Sequence, residues 1–251
     1  MGGTSAAGGT VALRLASANV RECADDRAAL RRVLAATGAD VLCLQEVPTR
    51  IWTRHRATAL ARDLGLRTVA LGRAGAGTAV LATDRVDVVA GAVRALPTPF
   101  WRGRRPVRRR GVAEVEVRVP GDDGAWAAVR VGSIHLGLDE AERHDHATRV
   151  CTTPPPGAGS AAGTPEILAG DLNEADGPAR RYLCERLSDA AEQVGSTFPT
   201  FPARAPRRRI DAVLVDRRVT VERVWTPDVG ADAVAATDHL VLVADLRVPL
   251  G

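Results

Sequence analysis

Gly170-Asp171-Leu172-Asn173 and Thr237-Asp238-His239 each border an apolar run, with Ile167-Leu168-Ala169 ahead of the first and Leu240-Val241-Leu242-Val243 behind the second. A strand buried along its length and ending in acid, amide and imidazole suits a divalent metal and a phosphate. Burying such groups is costly unless a partner satisfies them, so their place at strand ends needs a reason, and catalysis supplies one. Asn19, Glu46 and His135 repeat the pattern after an apolar run, and Asp211 stands just before one. Carboxylate and amide oxygens are hard ligands suited to Mg²⁺, with Mn²⁺ as the alternative, and the lack of clustered Cys and His argues against zinc. A phosphate ester resists attack because its anionic oxygens repel a nucleophile. A metal on a phosphoryl oxygen, a carboxylate to activate water and a cationic imidazole opposite would each lower that barrier.

These side chains need elements to position them. Val11–Asn19 reads as a first strand, and Asp25 or Asp26 caps a helix that runs to Ala36 and stops at Gly38. Val41–Gln45 is a short buried strand leading into Glu46, and a second helix is expected over Trp52–Leu64, closed by Gly65. Strands are expected at Arg67–Leu71, Thr78–Thr83 and Val86–Val93. Gly111–Val119 alternates valine with charge and turns through Asp122-Asp123-Gly124 into Ala125–His135. Asp139–Val150 reads as a charged surface helix, Thr152–Thr164 as a loop, Glu166–Ala169 as a buried strand and Pro178–Leu187 as a helix. Strands at Ile210–Val215, Val219–Trp225 and Leu240–Val248 close the chain. If strands carrying polar groups at their C-terminal ends run against those carrying them at their N-terminal ends, all six positions collect at one edge. That requires mixed sheets.

The ordered set Asn19, Gln45-Glu46, Ser133-Ile134-His135-Leu136, Gly170-Asp171-Leu172-Asn173, Arg209-Ile210-Asp211 and Thr237-Asp238-His239 resembles the endonuclease/exonuclease/phosphatase superfamily. That group includes DNase I-like and abasic-site nucleases, inositol polyphosphate 5-phosphatases and neutral sphingomyelinases. The match runs from about Val11 to Val248; each string is short, and six in order make the signal. The resemblance implies an α/β (α+β) fold, a DNase I-like four-layer sandwich of two packed mixed β-sheets flanked by helices. It implies that Glu46 holds the metal with Asn19 and Asp238 nearby, and that Asp171 polarises the attacking water or manages its proton. Asn173 would fix the phosphate, His239 oriented by Asp211 would face it, and His135 would bind another of its oxygens. Whether Asp171 or the Asp211–His239 pair is the general base stays open. Two departures stand out. Ala18 occupies a position where many relatives carry an aromatic. The single tyrosine, Tyr182, lies outside the Glu46–His135 interval where nuclease members often place one. Arg109 or Arg110 is the candidate for its place, and recognition of the abasic-site type is disfavoured.

The 251 residues suit one domain over 11–251 after a disordered tail, Met1–Thr10, that lacks the features of a signal peptide. No apolar run nears the roughly 20 residues a bilayer span requires. Four scattered cysteines fit a reduced, cytoplasmic setting, and Cys43 reads as a core residue. All 34 basic residues are arginine and the net charge is +4, which favours an anionic partner even if base composition explains the arginine bias. The expected activity is therefore divalent-metal-dependent hydrolysis of phosphodiester bonds, with nucleic acid the favoured substrate and a monomer the expected state. One alternative is a phosphatase or a phospholipid- or sphingomyelin-type phosphodiesterase acting on a small substrate. Another is a non-catalytic binding module on the same fold, which should lack a metal or imidazole position; none is missing.

Asp171 and Asn173 also favour a capping turn. His144 and His146, one residue apart on a helix, cannot share a face and read as solvated. The cluster Arg102–Arg110 beside Trp101 reads first as an exposed loop of an arginine-rich chain, whereas Arg207-Arg208-Arg209 must lie near the rim of the site, with Arg209 a candidate substrate contact. Gly75-Ala76-Gly77 is no dinucleotide fingerprint, and no Gly-x-Ser-x-Gly elbow appears.

Overall fold

The first strand changes character half-way. Its early residues alternate between solvent and core, and from Leu15 to Asn19 every side chain is buried. The switch coincides with the arrival of a second neighbour on the far side. A computed structural model describes residues 9–49, 55–98, 101–102, 105–106, 108–121, 124–152 and 163–250. In chain order the elements are β1 (Thr10–Asn19), α1 (Arg27–Ala36), β2 (Val41–Gln45), α2 (His55–Asp63), β3 (Arg67–Leu71), β4 (Ala79–Ala82) and β5 (Asp87–Leu96). There follow β6 (Trp101–Arg102), β7 (Arg105–Pro106), β8 (Arg110–Pro120), β9 (Trp126–His135), α3 (Glu140–Thr152) and β10 (Glu166–Asp171). The chain ends with α4 (Pro178–Arg186), β11 (Ser188–Asp189), α5 (Ala190–Gln193), β12 (Asp211–Val215), β13 (Thr220–Trp225), α6 (Asp232–Ala236) and β14 (Leu242–Pro249).

Two six-stranded mixed sheets result, ordered β13-β14-β1-β2-β4-β3 and β11-β12-β10-β9-β8-β5. Their inner faces meet over a valine-rich core that includes Leu13, Leu15, Val80, Val115, Val129, Ile167, Val213 and Leu246. α1 and α2 cover the outer face of the first sheet. α3 and α4 cover that of the second. This is the expected four-layer sandwich. Burial of both faces explains the continuous apolar runs that precede the polar strand ends.

Local chemistry sets the boundaries. Asp26 accepts from the amides of Ala28 and Ala29 at 2.8 and 3.0 Å and caps α1, a contact typically worth about 1 kcal/mol. Helix α4 starts without a side-chain cap on Gly177; Glu174 reaches forward and accepts from Arg180 N at 2.6 Å. β1 begins at Thr10, inside the stretch read as a tail, because Thr10 pairs with Pro249. Residues 1–8, Trp52–Arg54, the turn residues Asp122 and Asp123, and 153–162 of the expected loop lie outside the described residues. The short elements β11, α5 and α6 were not expected, being briefer than any periodicity can reveal. Among the described residues no helix is long and apolar enough to cross a membrane.

One expectation fails. His144 is exposed, but His146 is fully buried, with Nε2 2.8 Å from the carbonyl oxygen of Pro97. The stripe His146, Ala147 and Val150 is the face α3 turns to the sheet. The many charges of this helix hide that stripe in the sequence.

Candidate active site

Register brings the polar strand ends together. β9 and β10 are parallel and place His135 opposite Asp171. β12 is antiparallel to β10 and places Asp211, its first residue, opposite Asp171, the last of β10. Three candidate side chains thus stand side by side on adjacent strands. In the other sheet β1 and β2 are parallel with Asn19 opposite Gln45, one residue before Glu46. β14 runs against β1, so the segment preceding it returns to the same edge, where Thr237 Oγ1 donates to the carbonyl of Asn19 at 2.8 Å. The two sheets are tied beneath the site: Gln45 Nε2 donates to Ser133 Oγ at 3.1 Å and Ser133 Oγ to Leu44 O at 2.8 Å. Gly170 permits the closest approach, since a Cβ there would lie 1.8 Å from the carbonyl oxygen of Ile134.

Asp171 is the hub. Its Oδ1 accepts from Asn173 N at 2.8 Å and its Oδ2 from Asn19 Nδ2 at 3.2 Å. The same Oδ2 lies 3.4 Å from His135 Nε2 and 3.8 Å from His239 Nε2. Burial, reinforced by the neighbouring charge of Asp211, raises its carboxyl to about 7. The turn expected around Asp171 and Asn173 is present, with Asn173 in the left-handed region at φ 56°, but it orders the carboxylate and leaves α4 to Glu174. Asn173 Nδ2 donates to Leu136 O at 2.9 Å.

The two histidines are held in opposite ways. His239 Nδ1 lies 3.0 and 3.2 Å from the carboxylate oxygens of Asp211, and Asp211 Oδ2 accepts from Thr200 Oγ1 at 2.6 Å. Burial disfavours the imidazolium, but Asp211, then Asp171 and Asp238, outweigh it and raise His239 to about 9. His135 Nδ1 lies 3.1 Å from Arg110 Nη1. A guanidinium can only donate, so this nitrogen is the acceptor and the ring proton belongs on Nε2, facing Asp171. Burial, then the Arg110 charge, holds His135 well below the ordinary histidine value. One ring is a cation and the other a neutral donor.

Glu46, at φ 52°, lines a cleft of about 310 Å³ together with His135, Arg108, Arg109, Arg110, Arg73 and Gly77. Arg108 bridges two acids there, Nη1 to Glu46 Oε2 at 2.6 Å and Nη2 to Glu22 Oε1 at 2.7 Å. Asp238 is 39% exposed at the rim, with Arg21 Nε 3.6 Å away, and Asn19 Oδ1 accepts from Arg21 N at 3.1 Å. The structure therefore gathers Asn19, His135, Asp171, Asn173, Asp211 and His239 into one contact network, with Glu46, Arg109 and Arg110 lining the adjoining cleft. Arg209 is diverted: it engages Asp189 at 2.9 Å and Glu192 at 2.9 Å. Three participants escaped the sequence reading. Thr200 carries no signal. Phe201, whose ring centroid is 4.8 Å from that of His239, carries none either. Arg108 was visible only as a member of an arginine run.

The fold has known counterparts. The model of the Endonuclease/Exonuclease/phosphatase family matches residues 16–239. The structure of an endonuclease/exonuclease/phosphatase from Beutenbergia cavernae DSM 12333 is 25% identical with a TM-score of 0.71, covering 95% of this chain and 72% of that one. A mannosyl-6-phosphatase of Bacteroides thetaiotaomicron is 21% identical with a TM-score of 0.71, over 93% of this chain and 99% of that one. D. rerio TDP2, solved with a single-strand DNA product, is 17% identical with a TM-score of 0.66, over 94% and 98%. No match to a curated protein is found.

Proposed function

Because the chain belongs to the endonuclease/exonuclease/phosphatase family, whose members are hydrolases acting on phosphate esters, we propose that it is a divalent-metal-dependent phosphodiesterase in which Asp171 activates water. The observation that carries this reading is the position of Asp171 between a cationic and a neutral imidazole, with its carboxyl near 7.

The donor set fits a hard cation. Glu46, Asn19 and Asp238 offer oxygens only, and Glu46 already accepts positive charge, from Arg108 at 2.6 Å. Asp171, Asp211 and His239 also present ligand atoms within 4.8 Å of one another, but Asp211 and His239 spend theirs on each other. Glu46, with Asn19 and Asp238, is therefore the better holder for Mg²⁺ or Mn²⁺. Such an ion supplies Lewis-acid polarisation of a phosphoryl oxygen when bound.

The remaining roles follow from protonation. His239, raised to about 9 by its ion pair, is a cation at neutral pH and cannot accept a proton; it stabilises negative charge on the phosphoryl group. Asp171, near 7, is matched to accept the proton of the attacking water. His135 donates from Nε2 to a second phosphoryl oxygen, and the amide of Asn173 orients the group.

The test is turnover of bis(4-nitrophenyl) phosphate with Mg²⁺ or Mn²⁺ and with EDTA. Asp171→Asn should lower kcat by about 10²–10⁴-fold, the usual worth of a general base, while leaving thermal unfolding in place. Turnover that survives EDTA, or an unchanged Asp171→Asn enzyme, defeats the assignment.

A further inference from the structure

Among the described residues, some arginines near the site meet a carboxylate and others do not. Near the site, Arg108 is taken by Glu22 and Glu46, Arg143 by Glu174, and Arg180 and Arg209 by Asp189. Arg204, Arg207 and Arg208 are exposed, and none of the three side chains meets a partner among the described residues. The segment Ser196–Ile210 contains no acid that could pair with them.

The loop that carries them is built rigidly against the site. Phe201 and Arg208 close it as an antiparallel bridge, with Phe201 N to Arg208 O and Arg208 N to Phe201 O both at 2.9 Å. Ala205 N donates to Pro202 O at 3.0 Å within it. Its near side is docked: Ala203 N donates to Asp238 O at 2.7 Å, and the Phe201 ring packs on His239. The backbone that carries three arginines is thus anchored beside His239, and among the described residues no carboxylate pairs with them.

A second unpaired set lies across the cleft. Arg73 lines the Glu46 cleft, and with Arg62 and His55 it also lines a cavity of about 720 Å³ that shares Thr49, Arg73 and Gly77 with the first. Neither Arg62 nor Arg73 meets a carboxylate among the described residues. Positive charge therefore continues beyond the scissile position on both sides, more than one small phosphate ester could engage.

We propose that the 201–208 loop is a backbone clamp for a polynucleotide strand: Arg204, Arg207 and Arg208 hold phosphates on the His239 side while the chain runs over the cleft toward Arg73 and Arg62. The inference rests on the phosphodiesterase reading of the site and names its substrate class. A strand is favoured over an anionic bilayer because the one bulky apolar side chain of the loop, Phe201, is spent on His239, which leaves Pro202, Ala203, Ala205 and Pro206 as its other apolar groups.

The experiment measures anisotropy of a labelled single-stranded 20-mer with the full chain in EDTA across a NaCl series, for wild type and for R204Q/R207Q/R208Q. The triple variant should bind at least tenfold more weakly, with a log–log salt slope shallower by about 2, since each lost phosphate contact on a single strand removes about 0.7. Its kcat on bis(4-nitrophenyl) phosphate should equal that of wild type, and R204K/R207K/R208K should restore most of the binding. Equal affinity and slope in the glutamine variant overturn the clamp. So does wild type that binds phosphatidylserine vesicles through these arginines but not the 20-mer. If wild type binds the oligonucleotide but hydrolyses neither it nor the aryl diester, the clamp stands and the enzymatic reading falls. If it hydrolyses the aryl diester but ignores the oligonucleotide, the reverse holds.

Discussion

Asp211→Asn should remove a pH dependence of stability that the native chain possesses. His239 is raised from 6.5 to about 9, and Asp211 is the largest cause that raises it. At about 1.4 kcal/mol per unit, the ion pair contributes about 3 kcal/mol when His239 is protonated in both folded and unfolded states. The folded value lies above the unfolded one, so this stability is complete below pH 6.5 and disappears as pH rises through 9. At pH 7.5 about 2 kcal/mol of it remains, and by pH 9.5 almost none. Asp171, near 7, is largely ionised across that window and adds little slope. The assay is urea unfolding followed by tryptophan fluorescence in EDTA at pH 7.5 and 9.5. Subtracting the variant from the wild type removes the contribution of the four buried or half-buried thiols, all of which are raised by burial. The wild-type advantage should shrink by about 2 kcal/mol between the two pH values. An advantage that is constant with pH would mean that His239 is neutral in the folded chain and that the protonation-based division of roles is wrong.

Gly170→Ala puts a methyl 1.8 Å from Ile134 O, so β9 and β10 must part where they deliver His135 and Asp171. A loss of about 3 kcal/mol or more in urea unfolding is expected, from overpacking plus broken ladder bonds. Gly195→Ala, at φ 63° with open space around it, should cost only about 1 kcal/mol; equal losses would refute the close-approach argument. Arg110→Met leaves His135 Nδ1 without its donor and removes a charge that lowers the ring's affinity for a proton. The His135 titration, followed by imidazole NMR, should move upward toward the ordinary value with kcat reduced about tenfold or more, as for a lost buried hydrogen bond; an unmoved titration would show that Arg110 does not govern the ring.

Much of the site was legible because its signal is local. A buried strand reads as an apolar run, and a polar residue at its end is conspicuous without any knowledge of the fold. Strand sense was the inferential step. The antiparallel entry of β12 and β14 then placed Asp211 and His239 beside Asp171 as the pattern required. Thr200 was invisible because its hydrogen bond to Asp211 depends on how the segment between α5 and β12 folds back, which no periodicity encodes. His146 was misjudged because a helix whose buried stripe is His146, Ala147 and Val150 among charges resembles a solvated one.

The arginines show most clearly where sequence reading stops. Arg102–Arg110 and Arg204–Arg209 look alike as strings, dense in arginine and flanked by proline. Pairing separates them, and pairing is tertiary. Along an extended chain, residues two apart face the same way, so Arg108 and Arg110 both turn to the site, one to Glu46 and the other to His135. They are committed inside the protein. Arg209 is likewise committed to Asp189, whereas its neighbours Arg207 and Arg208 sit in a segment that carries no acid and meet no carboxylate among the described residues. In a chain whose net charge of +4 follows from 34 arginines against 30 acids, total charge says little about partners. The cations left without a carboxylate near the site say more: among the described residues these include Arg204, Arg207 and Arg208 on the loop docked against His239, and Arg62 and Arg73 on the side of the Glu46 cleft.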